Sequence, residues 1–305
     1  MSVSTKAQPA IAPSVWAMLL LLSLLWGGSF FFARIAVQEV PPLMLVLIRV
    51  VIAAAALHLY LLAKGEWNKF SGRRFAPFLL LGLLNNAIPF SLLFIGQTEL
   101  GAGLAAILNA LVPFWTVIAA NFLTADEKFT AGKVTGIALG VAGAAVIIGP
   151  SALTGLGAPL WAKLAVVGAG VSYALASIYA KRFKSAPPIV TATGQLTASA
   201  LIMLPAAFLA HGVWSPAPVT PPVWLAVIAL ALVSTSLAYI IFFKIAAAAG
   251  ATVVSLVTLL VPVSAIMLGT VFLGESLSLP ELSGMALIGI GLVIIDGRLA
   301  RRFRS

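Results

Sequence analysis

Cysteine is absent from this 305-residue chain, and charge is scarce: 9% of the residues are Asp, Glu, Lys or Arg. The first absence excludes disulfides and thiolate metal sites. The second excludes a soluble domain, in which about a quarter of the residues carry charge. Acidic residues are the scarcest of all. The eight present, Glu39, Glu66, Glu99, Asp126, Glu127, Glu275, Glu281 and Asp296, all fall at the ends of apolar runs or between them. No carboxylate is therefore expected at the centre of a membrane, where a cation pump or a proton-coupled carrier would place one. His58 and His211 fall towards run ends, which makes them poor proton relays. His-Glu-x-x-His, Gly-x-Ser-x-Gly and paired membrane aspartates are also missing. An intramembrane hydrolase thus lacks its parts, and no metal or cofactor is expected. A continuous polar stripe or a ring of like charges, which a channel needs, is not visible either.

What the chain does have is apolar length, with 62% hydrophobic residues. A bilayer core takes about 20 apolar residues per helix. Ten segments fit, near Val15–Val37, Pro42–Ala63, Phe75–Gln97, Gly101–Leu123, Lys133–Gly149, Leu160–Ala180, Ile189–Ala210, Val223–Phe243, Ala251–Leu273 and Leu282–Ile295. Ser2 to Ser14 reads as a polar tail, with no small-residue cleavage site after the first apolar run. With the amino terminus in the cytoplasm, Lys6, Lys64, Lys69, Arg73, Arg74, Lys128, Lys133, Lys181, Arg182, Lys184, Lys244, Arg298, Arg301, Arg302 and Arg304 all fall on the cytoplasmic side. Only Arg34 and Lys163 fall outside, and Arg49 lies within a span. That asymmetry is the positive-inside rule. It assigns the net charge of +10 to topology and anionic headgroups rather than to nucleic acid, and it puts both termini in the cytoplasm.

The second half repeats the first. Pro41-Pro42 corresponds to Pro187-Pro188, Gly101-Ala102 to Gly250-Ala251, Leu111-Val112-Pro113 to Leu260-Val261-Pro262, and Asp126 to Glu275. Gly136 matches Gly284 and Gly143 matches Gly291 at one offset; Gly140 has Gly289 as its nearest counterpart. Because five is odd, a direct repeat of five spans places its copies, residues 15–149 and 160–295, upside down relative to each other. Such inverted repeats suit a carrier that exposes a midplane site alternately to each side.

The stretch Leu25-Trp26-Gly27-Gly28-Ser29-Phe30, followed by Pro41-Pro42 and Ile48-Arg49, resembles the opening of an EamA-type repeat. Leu260-Val261-Pro262 through Leu273-Gly274-Glu275 to Gly284 and Gly291 resembles its close. EamA-type proteins belong to the drug/metabolite transporter superfamily. The resemblance implies an all-helical carrier of the bacterial inner membrane that exports or exchanges small organic solutes. It is greatest to the aromatic amino-acid exporter branch (YddG-like). The second half departs from the pattern: it lacks Trp-Gly-Gly and carries Gln195 where the first has Arg49. The expected partners are a small-molecule substrate and the lipid bilayer. Oligomeric state is left open, a monomer included.

Interior polar residues nominate the substrate pathway. Arg49 lies seven residues beyond Pro42, hence roughly 10 Å into its helix. An arginine near mid-span costs about 2.5–3.5 kcal/mol to insert, so it should face the bundle or a wet cavity. There it either pairs with a substrate carboxylate or ties helix carbonyls. Gly101, Ala105, Asn109 and Pro113 form one helix stripe, repeated by Gly250, Val254, Thr258 and Pro262. Pro89 follows Asn85 and Asn86 in the third span; Ser234, Ser236 and Tyr239 occupy the equivalent stretch of the eighth. Pro89, Pro113 and Pro262 each remove a backbone bond, which is tolerated where a helix lines a cavity, so they are candidate helix breaks or gates. Trp26, Phe90, Trp115, Tyr173 and Tyr239 fall away from the interfaces and could form an apolar cage. The candidate substrate-binding set is Trp26, Arg49, Asn85, Asn86, Phe90, Asn109, Trp115, Tyr173, Gln195, Ser236, Tyr239 and Thr258. Small-residue packing accounts for the glycines equally well.

Overall fold

A computed structural model describes residues 12–71, 75–125, 127–154, 157–254 and 256–296. The Asp126 half of the Asp126–Glu275 correspondence lies outside these residues, as do Lys6, Arg73, Arg74 and the carboxyl-terminal arginines.

All regular structure among the described residues is helical. The membrane-crossing helices are α1 (Pro13–Ala36), α2 (Pro42–Ala63), α3 (Ala76–Gln97), α4 (Ala102–Leu123), α5 (Ala131–Thr154), α6 (Leu160–Ala180), α7 (Pro188–His211), α8 (Pro221–Ala249), α9 (Val257–Leu273) and α10 (Leu279–Asp296). Nine have the length and apolarity of a full span; the tenth, α9, is a shorter apolar helix preceded by the turn of helix Ala251–Val254. Several helices outrun their apolar stretch. In particular, α8 continues through Lys244, an exposed residue of the helix rather than of a loop. Proline opens α1, α2, α7 and α8, where a missing N–H costs nothing.

Three spans are irregular in the middle. Helix α4 breaks at Ala110 and Leu111, and Pro113 sits in the first turn of its second half, Val112–Leu123. Helices α3 and α8 each contain a π-turn, over Leu83–Ala87 and Leu232–Leu237. Pro89 lies just past the π-turn of α3 and has no N–H to give to the carbonyls behind it, that of Leu84 among them. The Ser172 hydroxyl of α6 donates to that carbonyl instead, at 2.7 Å. In α8 the hydroxyls of Thr235 and Ser236 reach back to the carbonyls of Leu230 and Ala231. Pro262 is carried inside α9.

The packing is self-matching when each helix of the first half is exchanged with its counterpart five helices on. Helix α1 packs on α9 as α6 packs on α4; α3 packs on α6 as α8 packs on α1; α3 packs on α7 as α8 packs on α2. The pairs α2–α7, α4–α9 and α5–α10 map onto themselves. Helices α5 and α10 form a peripheral pair, with 22% of each apolar window buried against 44–56% for the other full-length spans. Their contact is a reciprocal glycine seam. A Cβ on Gly143 would meet the Gly284 carbonyl oxygen at 2.6 Å, and one on Gly291 would meet the Gly136 oxygen at 2.6 Å. This crossed pairing means that the two helices run antiparallel. Gly140 faces Phe114, whereas Gly289 faces open space, so these two are not equivalent despite their neighbouring alignment.

The two ends of the bundle differ. The end carrying Lys64, Lys69, Lys128, Lys181, Arg182 and Lys184 is basic. There Lys181 pairs with Glu127 at 2.6 Å. At the opposite end carboxylates hold helix starts. Glu39 accepts from the Thr220 N–H at the head of α8 (2.6 Å), and Glu275 accepts from the N–H groups of Ala102 and Gly103 at the head of α4 (2.7 and 3.1 Å). The anions thus sit where the helix dipole favours them. A Cβ on Gly101 would lie 2.8 Å from the Glu275 carboxyl carbon, which accounts for the glycine. The two cations at this end are spent on similar work. Arg34 donates to the carbonyls of Gln97 and Thr98 at the tail of α3, and buried Lys163 donates to the Ile147 carbonyl.

Candidate functional site

A cavity of about 450 Å³ lies between α1, α2, α3, α4, α6, α7, α8 and α9. That volume suits a small organic ligand. Its walls at the opposite end, Phe30, Phe94, Gln97 and Ala106, are buried and closed. Towards the basic end it is lined by Ser177, Ala180 and Phe243, which are exposed or half-buried, so the cavity opens that way.

Arg49 stands on the α2 wall, 4% exposed. Its Nε donates to Thr235 Oγ1 at 2.9 Å, and its guanidinium carbon lies 3.7 Å from the centroid of Phe90 and 5.6 Å from that of Phe94. Neither Nη meets an acceptor among the described residues. The phenols of Tyr173 and Tyr239 are the titratable groups in its electrostatic neighbourhood. Among the described residues no carboxylate is on the cavity wall. Desolvated guanidinium over an aromatic face is a favourable contact, worth about 2 kcal/mol.

Across from Arg49 lies an amide and phenol cluster. Asn85 Nδ2 donates to Gln195 Oε1 at 3.0 Å and to Tyr239 Oη at 3.4 Å, and the Tyr239 hydroxyl reaches Asn86 Oδ1 at 3.5 Å. The wall residues Asn109, Thr191 and Ser234 also carry polar atoms (Oδ1, Oγ1 and Oγ) that are buried behind the cavity surface without a hydrogen-bond partner among the described residues. Rings complete the wall, with Trp26 against Phe242 at 5.5 Å and Tyr239 against Phe243 at 6.0 Å.

Of the residues nominated by sequence, Trp26, Arg49, Asn85, Phe90, Asn109, Tyr173, Gln195, Tyr239, Thr258 and Pro262 share this wall. Asn86, Trp115, Ser236, Pro89 and Pro113 do not. Asn86 is turned into the α3–α7 seam and donates to Ser199 Oγ at 3.1 Å. Ser236 bonds the carbonyls of Ala231 and Ala53 between α8 and α2. Trp115 lies beyond the break in α4 and lines a separate apolar cavity of about 240 Å³ between α4, α5 and α6. Phe90 is on the wall, but the guanidinium covers one face of its ring. Sequence reasoning missed Thr235, Phe94, Gln97 and Phe242. The uninterrupted hydroxyl run Ser234-Thr235-Ser236 inside an apolar span was the available signal for Thr235.

Comparison with known proteins agrees with this architecture. The sequence profile of the EamA-like transporter family matches residues 14–149 and again 160–296. The chain is similar to the uncharacterized inner membrane transporter YedA of Escherichia coli (strain K12), 27% identical over 90% of this chain and 88% of the relative. It is 28% identical to a probable amino-acid metabolite efflux pump of Salmonella typhimurium, over 90% of this chain and 92% of that one. It is 26% identical to the S-adenosylmethionine/S-adenosylhomocysteine transporter of Chlamydia trachomatis, over 92% and 87%. One solved crystal structure superposes with a TM-score of 0.66 at 25% identity, covering 97% of this chain and 100% of the other. Ten apolar helices, eight of them around a polar cavity, matched twice by the same profile, lead to one conclusion: the chain belongs to the EamA-like transporter family, and is a multi-pass membrane transporter rather than an enzyme.

Proposed function

We propose that this transporter is an alternating-access carrier that exports or exchanges neutral or zwitterionic amino acids, aromatic ones among them. The observation that carries this reading is the charge of the cavity, which among the described residues has one cation with free donors, several neutral amides and hydroxyls, aromatic rings, and no carboxylate. The Nη groups of Arg49 receive the substrate carboxylate, the unpartnered oxygens of Asn109 and Ser234 accept from its ammonium, and Trp26, Tyr239 and Phe242 enclose its side chain. Among the described residues a cavity of this make-up offers no carboxylate to pair with a purely cationic drug. The similarity to an amino-acid metabolite efflux pump supports the reading.

In the same reading the basic end is cytoplasmic, both termini are cytoplasmic, and the membrane is the bacterial inner membrane, as for YedA. Residues 15–149 and 160–295 are two inverted repeats. The twofold family match, the exchange symmetry of helix packing and the antiparallel α5–α10 seam support this division.

The test is counterflow of labelled amino acids in proteoliposomes, set beside nucleobases, S-adenosylmethionine and quaternary ammonium dyes. Expected is exchange of phenylalanine and branched amino acids by the wild type. Arg49→Gln should weaken their apparent affinity by about 10- to 100-fold, the worth of charged hydrogen bonds of about 1.5–3 kcal/mol. Ready transport of dyes with no amino acid moved would overturn the cargo assignment. Amino-acid transport indifferent to Arg49→Gln would leave the cargo standing and remove Arg49 from its role.

A further inference from the structure

Inside an apolar bundle a guanidinium has several ways to satisfy its five N–H groups. Here one direction is fixed. The Nε edge is taken by Thr235 Oγ1 at 2.9 Å. That hydroxyl has its own proton committed to the Leu230 carbonyl, five residues back, at 2.7 Å. Thr235 therefore meets Arg49 as an acceptor, held in place by the π-turn of α8. The Phe90 ring, 3.7 Å from the guanidinium carbon, fixes the plane of the group. What remains for a ligand is the outer edge, Nη1 and Nη2.

We infer that Thr235 and Phe90 are positioning residues, which lock Arg49 so that it presents its two Nη groups end-on to a substrate carboxylate. The inference rests on the carboxylate role proposed for Arg49. It adds a specific geometry: the side-on fork through Nε is closed, and the carboxylate docks along the axis of the side chain. It also gives the π-turn of α8 a purpose. A regular helix would turn the Thr235 hydroxyl to the carbonyl four residues back; the wider turn lets it reach Leu230 while its lone pair faces α2. Holding the donors in advance removes the ordering cost that a free arginine side chain would meet on binding.

The discriminating readout is the preference for a carboxylate, measured as the ratio of half-saturation concentrations for phenylalaninamide and phenylalanine in counterflow. Thr235→Val keeps the shape and removes the acceptor. It should raise the half-saturation for phenylalanine about tenfold, reduce the amide/acid ratio by a similar factor, and leave the maximal rate within about twofold. Thr235→Ser should restore wild-type values, since the hydroxyl is what matters. On an Arg49→Gln background Thr235→Val should have no further effect on the ratio. Phe90→Leu removes the ring without touching the π-turn and should lower the ratio as well; it decides the matter if Thr235→Val does not accumulate in the membrane. An unchanged ratio in Thr235→Val, or in Phe90→Leu where that variant decides, would overturn the positioning role even if Arg49→Gln still abolishes discrimination. If Arg49→Gln itself leaves the ratio unchanged, it is the carboxylate reading that falls, and the positioning role falls with it.

Discussion

At the scale of single residues, the buried polar groups divide into those already satisfied and those that are not. Asn86 and Ser236 spend their hydrogen bonds within helix seams, whereas Asn109 and Ser234 keep free oxygens at the cavity wall. The division predicts opposite consequences of truncation. Asn86→Ala should lower thermal stability in detergent, by an amount equivalent to about 1–3 kcal/mol, because Ser199 loses its buried donor. Asn109→Ala should leave the melting temperature unchanged and weaken cargo affinity several-fold in the same counterflow assay. A stability loss in both, with transport unaffected in Asn109→Ala, would show Asn109 to be structural. The sequence marked all four as polar residues in apolar surroundings. It could not divide them, because the partners Ser199 and Ala53 lie on other parts of the chain and the bond to Ala231 belongs to the π-turn of α8. Arg49 shows the same limit: its depth was legible from Pro42, but the acceptor on α8 and the ring beneath it were not.

At the scale of helices, the spans and most of their ends follow from apolar length and proline, and the repeated glycines marked the seams. Irregular turns were invisible. Hydrophobic length counts residues without regard to how many carbonyls a turn spans, so neither π-turn nor the break at Ala110–Leu111 leaves a trace in it. Pro113 pointed to the break, which lies just before it at Ala110–Leu111, and Trp115, just beyond, lines the separate apolar cavity. The α5–α10 pair gives a clean test of packing. Gly143→Val or Gly284→Val would drive a side chain into the backbone of the partner helix and should destabilise the protein by about 1–3 kcal/mol in thermal unfolding. Gly289→Val, with nothing within 4 Å, should be silent. Equal loss at Gly289 would mean that the cost lies in the helix rather than in the seam.

At the scale of the whole molecule, the open and closed ends correspond to one half of the alternating-access cycle proposed above. The absence of cysteine allows single-cysteine labelling on the natural background. A cysteine at Ser177 should react with a membrane-impermeant thiol reagent from the basic side, and one at Ala106 should not react from either side. Turnover with saturating substrate should expose position 106 from the opposite side. Constant protection of 106 during transport would rule out alternating access through this cavity. Because no carboxylate among the described residues lines the cavity, exchange should persist when an uncoupler collapses the proton gradient; complete loss of exchange would refute that. A reporter fused to the carboxyl terminus should report the cytoplasm.

One asymmetry remains within this self-matching frame: Arg49 on α2 faces the cavity from one half, and Gln195 on α7 from the other. Two halves that trade places during a cycle would treat a symmetric passenger alike from either side. A passenger gripped by its acid group at a single pole cannot be treated so. It must keep its heading throughout, entering with one end leading and departing with that same end still bound to α2. In the proposed reading the carrier resembles a turnstile with one handle: half-saturation and maximal rate differ between its two faces, in a compensating ratio that leaves no net flow at equal concentrations.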